Sequence, residues 1–408
     1  MSKNDIFSRT ESYLSKKYEF RRNTVSFEIE YSLKEEENKK SDWKILNIAE
    51  IYVELKKAGI GIKEQDIKAL LKSSFVKPYN PFLAYMESLE GDPNKDYIAE
   101  LASYVQCGTE EEQREFVHEL KKALIRCVYC SLGKGFNKQC FVLVSPLQNI
   151  GKTSFIKFLC PPALHEYYTE EMSFDKDGLI ALSSNFIINL DELSVIAKSD
   201  LNTLKTYFSK DTIKVRLPYE AKASSTKRLC NFFASTNNED FLSDPTGSVR
   251  WVAFYINYID FDYQKNINID NVWYQAYNLY KAGETGKMSQ EDIAKNEIRN
   301  QKFTRITAEM ELITKYCTKD PSETYFYTPT EIQEKLTGLA SQRTNIALIG
   351  KALQILGYER ISKRTKERTF PVYGYYIKFP DDNPLNPADH YYTSQKPIPD
   401  PNLDKVPF

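Results

Sequence analysis

Gly151, Lys152 and Thr153 stand in succession between an apolar run and a helix-compatible run. The apolar run, residues 141–144, is typical of a buried strand. A strand, a short loop carrying this triplet and a following helix form the context of a phosphate-binding P-loop, in which the lysine reaches the β- and γ-phosphates and the threonine binds Mg²⁺. The predicted nucleotide-binding residues are Gln148, Asn149, Ile150, Gly151, Lys152, Thr153 and Ser154.

The loop departs from the usual pattern at one position, because Pro146 stands where a leading glycine is normally found. Asparagine tolerates a positive φ better than most other residues that carry a Cβ. We therefore predict that Asn149 supplies part of the turn freedom that the missing glycine would have provided.

A second apolar run, residues 185–190, ends in the adjacent acids Asp191 and Glu192. Because side chains alternate along a strand, the two carboxylates are predicted to face opposite sides. Asp191 would then bind Mg²⁺, and Glu192 would orient and deprotonate an attacking water. Two acids can also simply bring one strand to the surface, but their position downstream of a P-loop favours the catalytic interpretation.

A third apolar run, residues 229–236, leads to Asn237, whose amide is suited to sensing a γ-phosphate and its attacking water. A plain asparagine turn is the alternative. Arg250 follows at a spacing that suits an arginine finger, which is delivered to the nucleotide of a neighbouring subunit and stabilises charge in the transition state. A structural arginine in a surface loop remains the other possibility.

Taken in order, these residues resemble the virulence-associated protein E family, a branch related to superfamily 3 helicases within the AAA+ ATPases. The matching segments are 148–154, 175–177, 188–193, 204–205, 215–219, 228, 235–237, 241–247 and 250. The resemblance implies an α/β fold with a P-loop AAA+ three-layer ATPase core, ATP and Mg²⁺ as ligands, and a ring of identical subunits, a hexamer, through which DNA passes. One departure is that Ser248 and Val249 stand where the family usually has Asn-Arg, which leaves Arg250 alone as the finger.

In such helicases a β-hairpin between the second and third motifs enters the ring pore and grips single-stranded or forked DNA. Residues 212–231 are predicted to form it, with one strand around Ile213 and Val215, a polar tip at 221–226 and a return strand at 229–233. The predicted DNA-binding residues are Lys222, Lys227 and Arg228. Arg216 is a further candidate for a sensor or a group acting in trans, and Arg228 could equally point at the nucleotide of a neighbouring subunit. An ordinary solvated hairpin is the alternative.

The rest of the chain is predicted to form accessory domains. We expect a mostly helical N-terminal domain over residues 1–110, with one strand at 24–31. The resemblance suggests that this domain is an oligomerisation collar. The ATPase core then covers 111–262 and a helical connector 263–318. Residues 319–380 are predicted to form a winged-helix-like domain that binds either DNA or protein, and residues 381–408 an extended or disordered tail.

Composition limits the classes of protein and the cellular locations that the sequence allows. The net charge of −1 argues against a protein coated with cations, although it permits basic groups confined to a pore. No apolar run is long enough for a membrane span, no secretory signal is evident, and the odd number of seven cysteines argues against a disulfide framework, so a cytoplasmic location is expected.

Two functional interpretations remain open. The first is an ATP-dependent DNA helicase or translocase that serves replication of a phage, plasmid or genomic island, with any primase supplied separately. The second is an ATP-switched oligomeric regulator or DNA-binding assembly platform that does not unwind DNA. A P-loop kinase is disfavoured, because nothing resembles an acceptor site or lid arginines.

Overall fold

The computed structural model describes residues 3–34, 42–193, 198–215, 224–242, 248–304, 306–340, 344–365, 370–382 and 391–393. The chain divides into two compact units, Met1–Phe303 and Thr304–Phe408. Both helices and mixed sheets occur, as expected for an α/β protein. No helix in the described ranges combines the length and apolar character needed to cross a lipid bilayer.

The first unit begins with five helices and a small sheet. The helices are α1 (Lys3–Lys17), α2 (Ile48–Lys57), α3 (Glu64–Lys72), α4 (Pro81–Glu87) and α5 (Tyr97–Ala102). The strands are β1 (Tyr18–Asn23), β2 (Ile29–Leu33), β3 (Lys44–Ile45) and β4 (Lys77–Tyr79), in the spatial order β3-β2-β1-β4. The prediction of a mostly helical segment therefore missed a four-stranded sheet.

The strand predicted at residues 24–31 is wrong in its placement. The Asn23 side chain accepts hydrogen bonds from the backbone N–H groups of Val25 and Ser26, which closes a turn directly after β1. Phe27 then adopts a positive φ of 63°, and the next strand begins only at Ile29. The turn-forming asparagine outweighs the alternation of apolar and polar residues that predicted one continuous strand.

The centre of the first unit is a six-stranded sheet. Its strands are β5 (Val105–Cys107), β6 (Cys140–Val144), β7 (Tyr168–Thr169), β8 (Ile187–Leu190), β11 (Asn231–Thr236) and β12 (Trp251–Ile259). Their spatial order is β5-β12-β6-β11-β8-β7, and only the edge strand β5 is antiparallel to its neighbour. The long loops between these strands carry the helices that a parallel sheet requires.

Helices cover both faces of this sheet. They are α6 (Glu110–Ser131), α7 (Lys152–Leu159), α8 (Lys176–Ser184), α9 (Lys198–Phe208), α10 (Tyr263–Asn266), α11 (Ile269–Lys281) and α12 (Gln290–Gln301). Alternate residues of β6 enter two different hydrophobic clusters, with Phe141 and Leu143 in one and Val142 and Val144 in the other. β6 is therefore buried on both faces, which explains its uninterrupted apolar sequence.

The predicted hairpin exists, but its return strand is different. β9 (Thr212–Val215) pairs antiparallel with β10 (Ser224–Lys227). The segment predicted to return, residues 229–233, instead contributes to β11 of the central sheet, because its apolar side chains are needed in the core. The tip of the hairpin lies outside the described residues.

In its described residues, the second unit has three helices and an antiparallel sheet. The helices are α13 (Ala308–Tyr316), α14 (Pro329–Ala340) and α15 (Ile346–Ile355). The strands are β13 (Thr318–Lys319), β14 (Phe326–Tyr327), β15 (Ile361–Thr365), β16 (Val372–Lys378) and β17 (Tyr391–Thr393). Within residues 319–380, for which a winged-helix-like domain is predicted, α14 and α15 precede a hairpin in which β15 is antiparallel to β16. The predicted connector, residues 263–318, is divided between the two units.

Candidate functional site

Three parallel strands bring the predicted site residues to one edge of the central sheet. β11 lies between β6 and β8, and the register places Thr236 beside Val144 and Ala234 beside Leu190. Because parallel strands end at the same edge, the segments that follow them meet there. This is the edge at which ligands bind in open α/β sheets.

The loop after β6 turns tightly before the next helix begins. Asn149 has a φ of 60°, which confirms the prediction that it adopts a left-handed conformation, and Gly151 has a φ of 94° immediately before α7 begins at Lys152. Gln148 and Asn149 are exposed, and Ile150 is partly buried against the hydrophobic core. The exposed loop and the helix start together present backbone N–H groups to an anion.

The Lys152 side chain lies buried beneath this loop. Its Nζ donates to the carbonyl oxygens of Ser145 (3.2 Å) and Leu147 (3.0 Å) and to Oδ1 of Asn237 (2.6 Å). Burial lowers the pKa of the Lys152 ammonium, and the nearby carboxylates of Glu192 and Asp191 oppose that shift. The loop, α7 and the end of β11 are thus joined through one cation.

Thr153 and Asp191 are adjacent, as a shared metal-binding role requires. The Thr153 hydroxyl donates to Oδ1 of Asp191 at 2.9 Å, and the same oxygen accepts a hydrogen bond from the Ser235 hydroxyl. A hydroxyl and a carboxylate are hard oxygen ligands, the type that Mg²⁺ prefers. These two residues therefore fit the predicted metal site.

Glu192 faces Asn237. The Asn237 amide donates to Oε2 of Glu192 at 3.0 Å, while its carbonyl oxygen accepts from Lys152. Asp191 and Glu192 were expected to point to opposite sides because they alternate along a strand. The strand β8 ends before them, at Leu190, and Glu192 instead has a left-handed backbone with a φ of 52°. A positive φ at a residue with a Cβ is uncommon and often marks a functional site.

An aromatic ring lies on the other side of the loop. A Cβ added to Gly151 would stand 2.7 Å from Cζ of Phe261, so the phenyl ring touches the glycine backbone. Phe261 follows β12, the strand that flanks β6 opposite β11, and 44% of its surface is exposed. Glycine is required at position 151 both for its φ and for this contact.

Arg250 and Ser154 are the remaining predicted nucleotide-site residues in the described part of the chain. Arg250 ends a short 3-10 helix, Ser248–Arg250, and donates to the Ser209 hydroxyl at 3.5 Å. Ser154 is exposed in the first turn of α7. Arg216 and Lys222 lie outside the described residues.

The two described hairpin cations differ sharply. Lys227 is half exposed and pairs with Asp211 at 3.0 Å. Arg228 is completely buried, donates to the carbonyl oxygen of Asn137, and lies 5.7 Å from the ring of Phe232. The prediction that Arg228 binds DNA is therefore wrong, because this guanidinium is enclosed by the core and has no surface to offer a phosphate.

Sequence reasoning missed Ser235 and Phe261. Ser235 stands within the third apolar strand and was passed over in favour of Asn237, although a hydroxyl in a buried strand is itself a signal. Phe261 carried no signal, since a single aromatic residue after a strand is common and its contact with Gly151 spans more than a hundred positions.

Comparisons with known proteins bear on the fold. A family model described as the virulence-associated protein E-like domain matches residues 86–305. The apo structure of the NrS-1 C-terminal region aligns with a TM-score of 0.54 at 11% sequence identity, covering 92% of this chain and 100% of that chain. A second structure, the A form of the same region, aligns with a TM-score of 0.49 at 12% identity, with coverages of 92% and 100%. Among curated proteins no sequence matches. The first alignment indicates a shared fold.

Proposed function

The chain belongs to the virulence-associated protein E-like family, and on that premise we propose that it is an ATP-dependent DNA helicase or translocase. It would work as an oligomeric ring, a hexamer, in replication of a phage, plasmid or genomic island. The observation that carries the proposal is the cluster of Lys152, Thr153, Asp191, Glu192 and Asn237 at one sheet edge. The strand order supports a core of the P-loop AAA+ type, since β11, which precedes Asn237, lies between β6, which precedes the Lys152 loop, and β8, which precedes Asp191.

ATP and Mg²⁺ are the proposed ligands. The loop at 148–154 would hold the phosphates through its N–H groups, and Lys152 would exchange its present carbonyl partners for phosphate oxygens. Thr153 and Asp191 would hold Mg²⁺, which supplies positive charge to the phosphate oxygens when bound. Ser235 would fix the orientation of the Asp191 carboxylate through its hydrogen bond.

Glu192 and Asn237 are the proposed hydrolytic pair. Glu192 would accept a proton from the attacking water, and the Asn237 amide would hold that water or the γ-phosphate in position. Asn237 is also hydrogen-bonded to both Lys152 and Glu192. A phosphate that binds Lys152 would therefore change the position of the Glu192 carboxylate through this amide. The same amide link favours the second candidate function, a nucleotide-switched assembly platform.

Arg250 is the proposed arginine finger. A residue outside the Lys152 cluster can complete that cluster from a neighbouring subunit, since heterologous contacts generate closed rings. The β9–β10 hairpin would project toward the ring pore, with Lys227 and Lys222 as the remaining cationic contacts to DNA.

The second unit is a further proposed contact surface. Three helices followed by an antiparallel hairpin support a winged-helix-like domain. Arg360 stacks on the ring of Tyr373 at 4.5 Å, and 80% of the surface of Phe370 is exposed two residues before the hairpin's second strand begins at Val372. Cations beside exposed aromatic rings suit unpaired nucleotides, which bind through phosphates and stacked bases.

The test of this proposal is strand separation of a forked DNA duplex by the wild-type protein with ATP and Mg²⁺. A motor is expected to separate the strands with ATP, to fail with a non-hydrolysable analogue, and to hydrolyse ATP faster when DNA is present. Native mass measured with the analogue, with and without DNA, should report the ring. Hydrolysis that drives no strand separation and ignores DNA would favour the assembly platform.

Replacing Arg228 should affect folding, whereas replacing Lys227 should affect DNA binding. Arg228→Ala leaves a cavity in the core and removes the hydrogen bond to Asn137, and it is expected to destabilise the first unit by about 0.5–3 kcal/mol. Lys227→Ala removes only an exposed ion pair worth about 1 kcal/mol or less, and should leave stability nearly unchanged while weakening DNA binding. Thermal unfolding and DNA titrations at several salt concentrations measure the two effects. An Arg228→Ala protein of normal stability but poor DNA affinity would restore the discarded prediction.

A further inference from the structure

The two sides of the Lys152 site carry different kinds of side chain. On one side, β11 and then β8 bring Asn237, Asp191 and Glu192, the groups suited to the terminal phosphate and its attacking water. On the other side, the segment Asp260-Phe261-Asp262 that follows β12 places the Phe261 ring on the Gly151 backbone. A nucleotide lying across the loop would thus meet charge at one end and an aromatic surface at the other.

The width of the sheet matches this arrangement. β12 and β8 are separated by three strand spacings, about 14 Å at 4.8 Å each. An extended nucleoside triphosphate spans a distance of that order. With its γ-phosphate near Glu192, its base would therefore reach the β12 side of the loop.

The Phe261 ring is held in place on that side. The backbone N–H of Asp260 donates to the carbonyl oxygen of Tyr104 at 2.8 Å, which anchors the end of β12. The Phe261 carbonyl oxygen accepts from Gln264 at 3.1 Å in the first turn of α10. Tyr263 then packs edge-on against Phe155 and Phe158 of α7, with ring centroids 5.4 Å and 4.9 Å apart. The segment around Phe261 is thus fastened to the helix that starts at Lys152.

The exposed face of Phe261 is available to a ligand because the side chains behind it are already packed. The side chains packed around Tyr263 already close the core there, with Tyr263 itself fully buried. Phe261 keeps 44% of its surface in water beside the nucleotide loop. Every nucleobase has a π-face, and stacking on an aromatic side chain removes such a surface from water.

We propose that Phe261 is the aromatic platform on which the base of the bound nucleotide stacks, and that the ligand at this site is a nucleoside triphosphate recognised through both its base and its phosphates. This inference rests on the proposed nucleotide-binding function. It assigns Phe261 to binding and gives it no part in the chemical step.

The test compares a ligand that has a base with one that lacks it. Binding of ADP and of inorganic tripolyphosphate is measured by calorimetry for the wild type, Phe261→Ala, Phe261→Leu and Phe261→Trp. Loss of the ring in the Ala and Leu variants should weaken ADP binding roughly 5- to 150-fold and leave tripolyphosphate binding unchanged. Phe261→Trp should bind ADP as well as the wild type or better. In hydrolysis assays the Ala variant should raise KM for ATP with little change in kcat, because stacking is equal in the ground and transition states.

Tyr258→Ala is the matched control, since Tyr258 is an aromatic residue of β12 with 50% of its surface exposed. It should leave both affinities unchanged. Equal ADP affinity in the wild type and Phe261→Ala would overturn the stacking role, and a simultaneous change in native mass would assign the ring to a subunit contact instead. If the wild type binds neither ADP nor tripolyphosphate, the proposed nucleotide-binding function itself fails, an outcome distinct from both.

Discussion

Glu192→Gln is expected to bind ATP with wild-type affinity and to hydrolyse it about 10²–10⁴ times more slowly. Glutamine keeps the size of the side chain, and its amide oxygen can still accept the hydrogen bond from Asn237. It cannot take a proton from water, so only the chemical step is lost. Phosphate release measures kcat, and calorimetry with ATP measures binding without turnover.

The same variant separates a motor from a protein that merely binds DNA. It should fail to separate a forked duplex while retaining nucleotide-dependent assembly. Glu171→Gln is the control, because Glu171 is an exposed carboxylate outside the cluster. Turnover at the wild-type rate in Glu192→Gln would remove Glu192 from the role of general base and require another acceptor at this sheet edge.

Arg250→Ala is expected to lower hydrolysis by about 10³–10⁵, the range in which an arginine finger acts. Lys152→Ala should also be inactive, because its own site cannot hold the phosphates. Mixed rings should recover activity. An Arg250→Ala subunit still has Lys152, and a Lys152→Ala neighbour can lend it an arginine. In a random equimolar ring about a quarter of the interfaces combine an intact site with an intact finger.

Recovery is measured as ATP turnover across mixing ratios, with native mass confirming that the two variants assemble together. Mixing two separate preparations of Lys152→Ala is the control and should give no recovery. Mixed assemblies that stay inactive at every ratio would contradict action in trans. Arg250 would then be assigned to its own subunit, where it already contacts Ser209.

The candidate site was largely predictable because its residues follow buried strands. Asp191 and Asn237 come directly after apolar runs that are recognisable in the sequence, and Thr153 lies at the end of the loop that follows the first such run. Parallel strands ending at one edge then bring such residues together whatever the loops between them do. The backbone geometry of Glu192 was beyond this reasoning, because a left-handed residue after a strand depends on what surrounds it.

The errors have a common physical origin. Arg228 was assigned to the surface because cations usually are exposed, yet it is buried with Asn137 and Phe232 around it. β1 was overlooked because four of its six residues, in the sequence YEFRRN, are polar. Its pairing with β4 joins Arg21 to Lys77, positions far apart in the chain, which no local pattern reports.

The buried Arg228 has a mechanical consequence. Three residues, Arg228 to Cys230, separate the end of β10 from the start of β11, and β11 runs straight to Asn237. β10 belongs to the two-stranded hairpin sheet and β11 to the central sheet, so this connection joins two separate sheets. Within it the backbone N–H groups of Leu229 and Cys230 both donate to the carbonyl oxygen of Leu182, and the buried Arg228 side chain donates to the carbonyl oxygen of Asn137. The base of the hairpin is therefore anchored to the core, and any swing of the hairpin must pivot beyond Arg228.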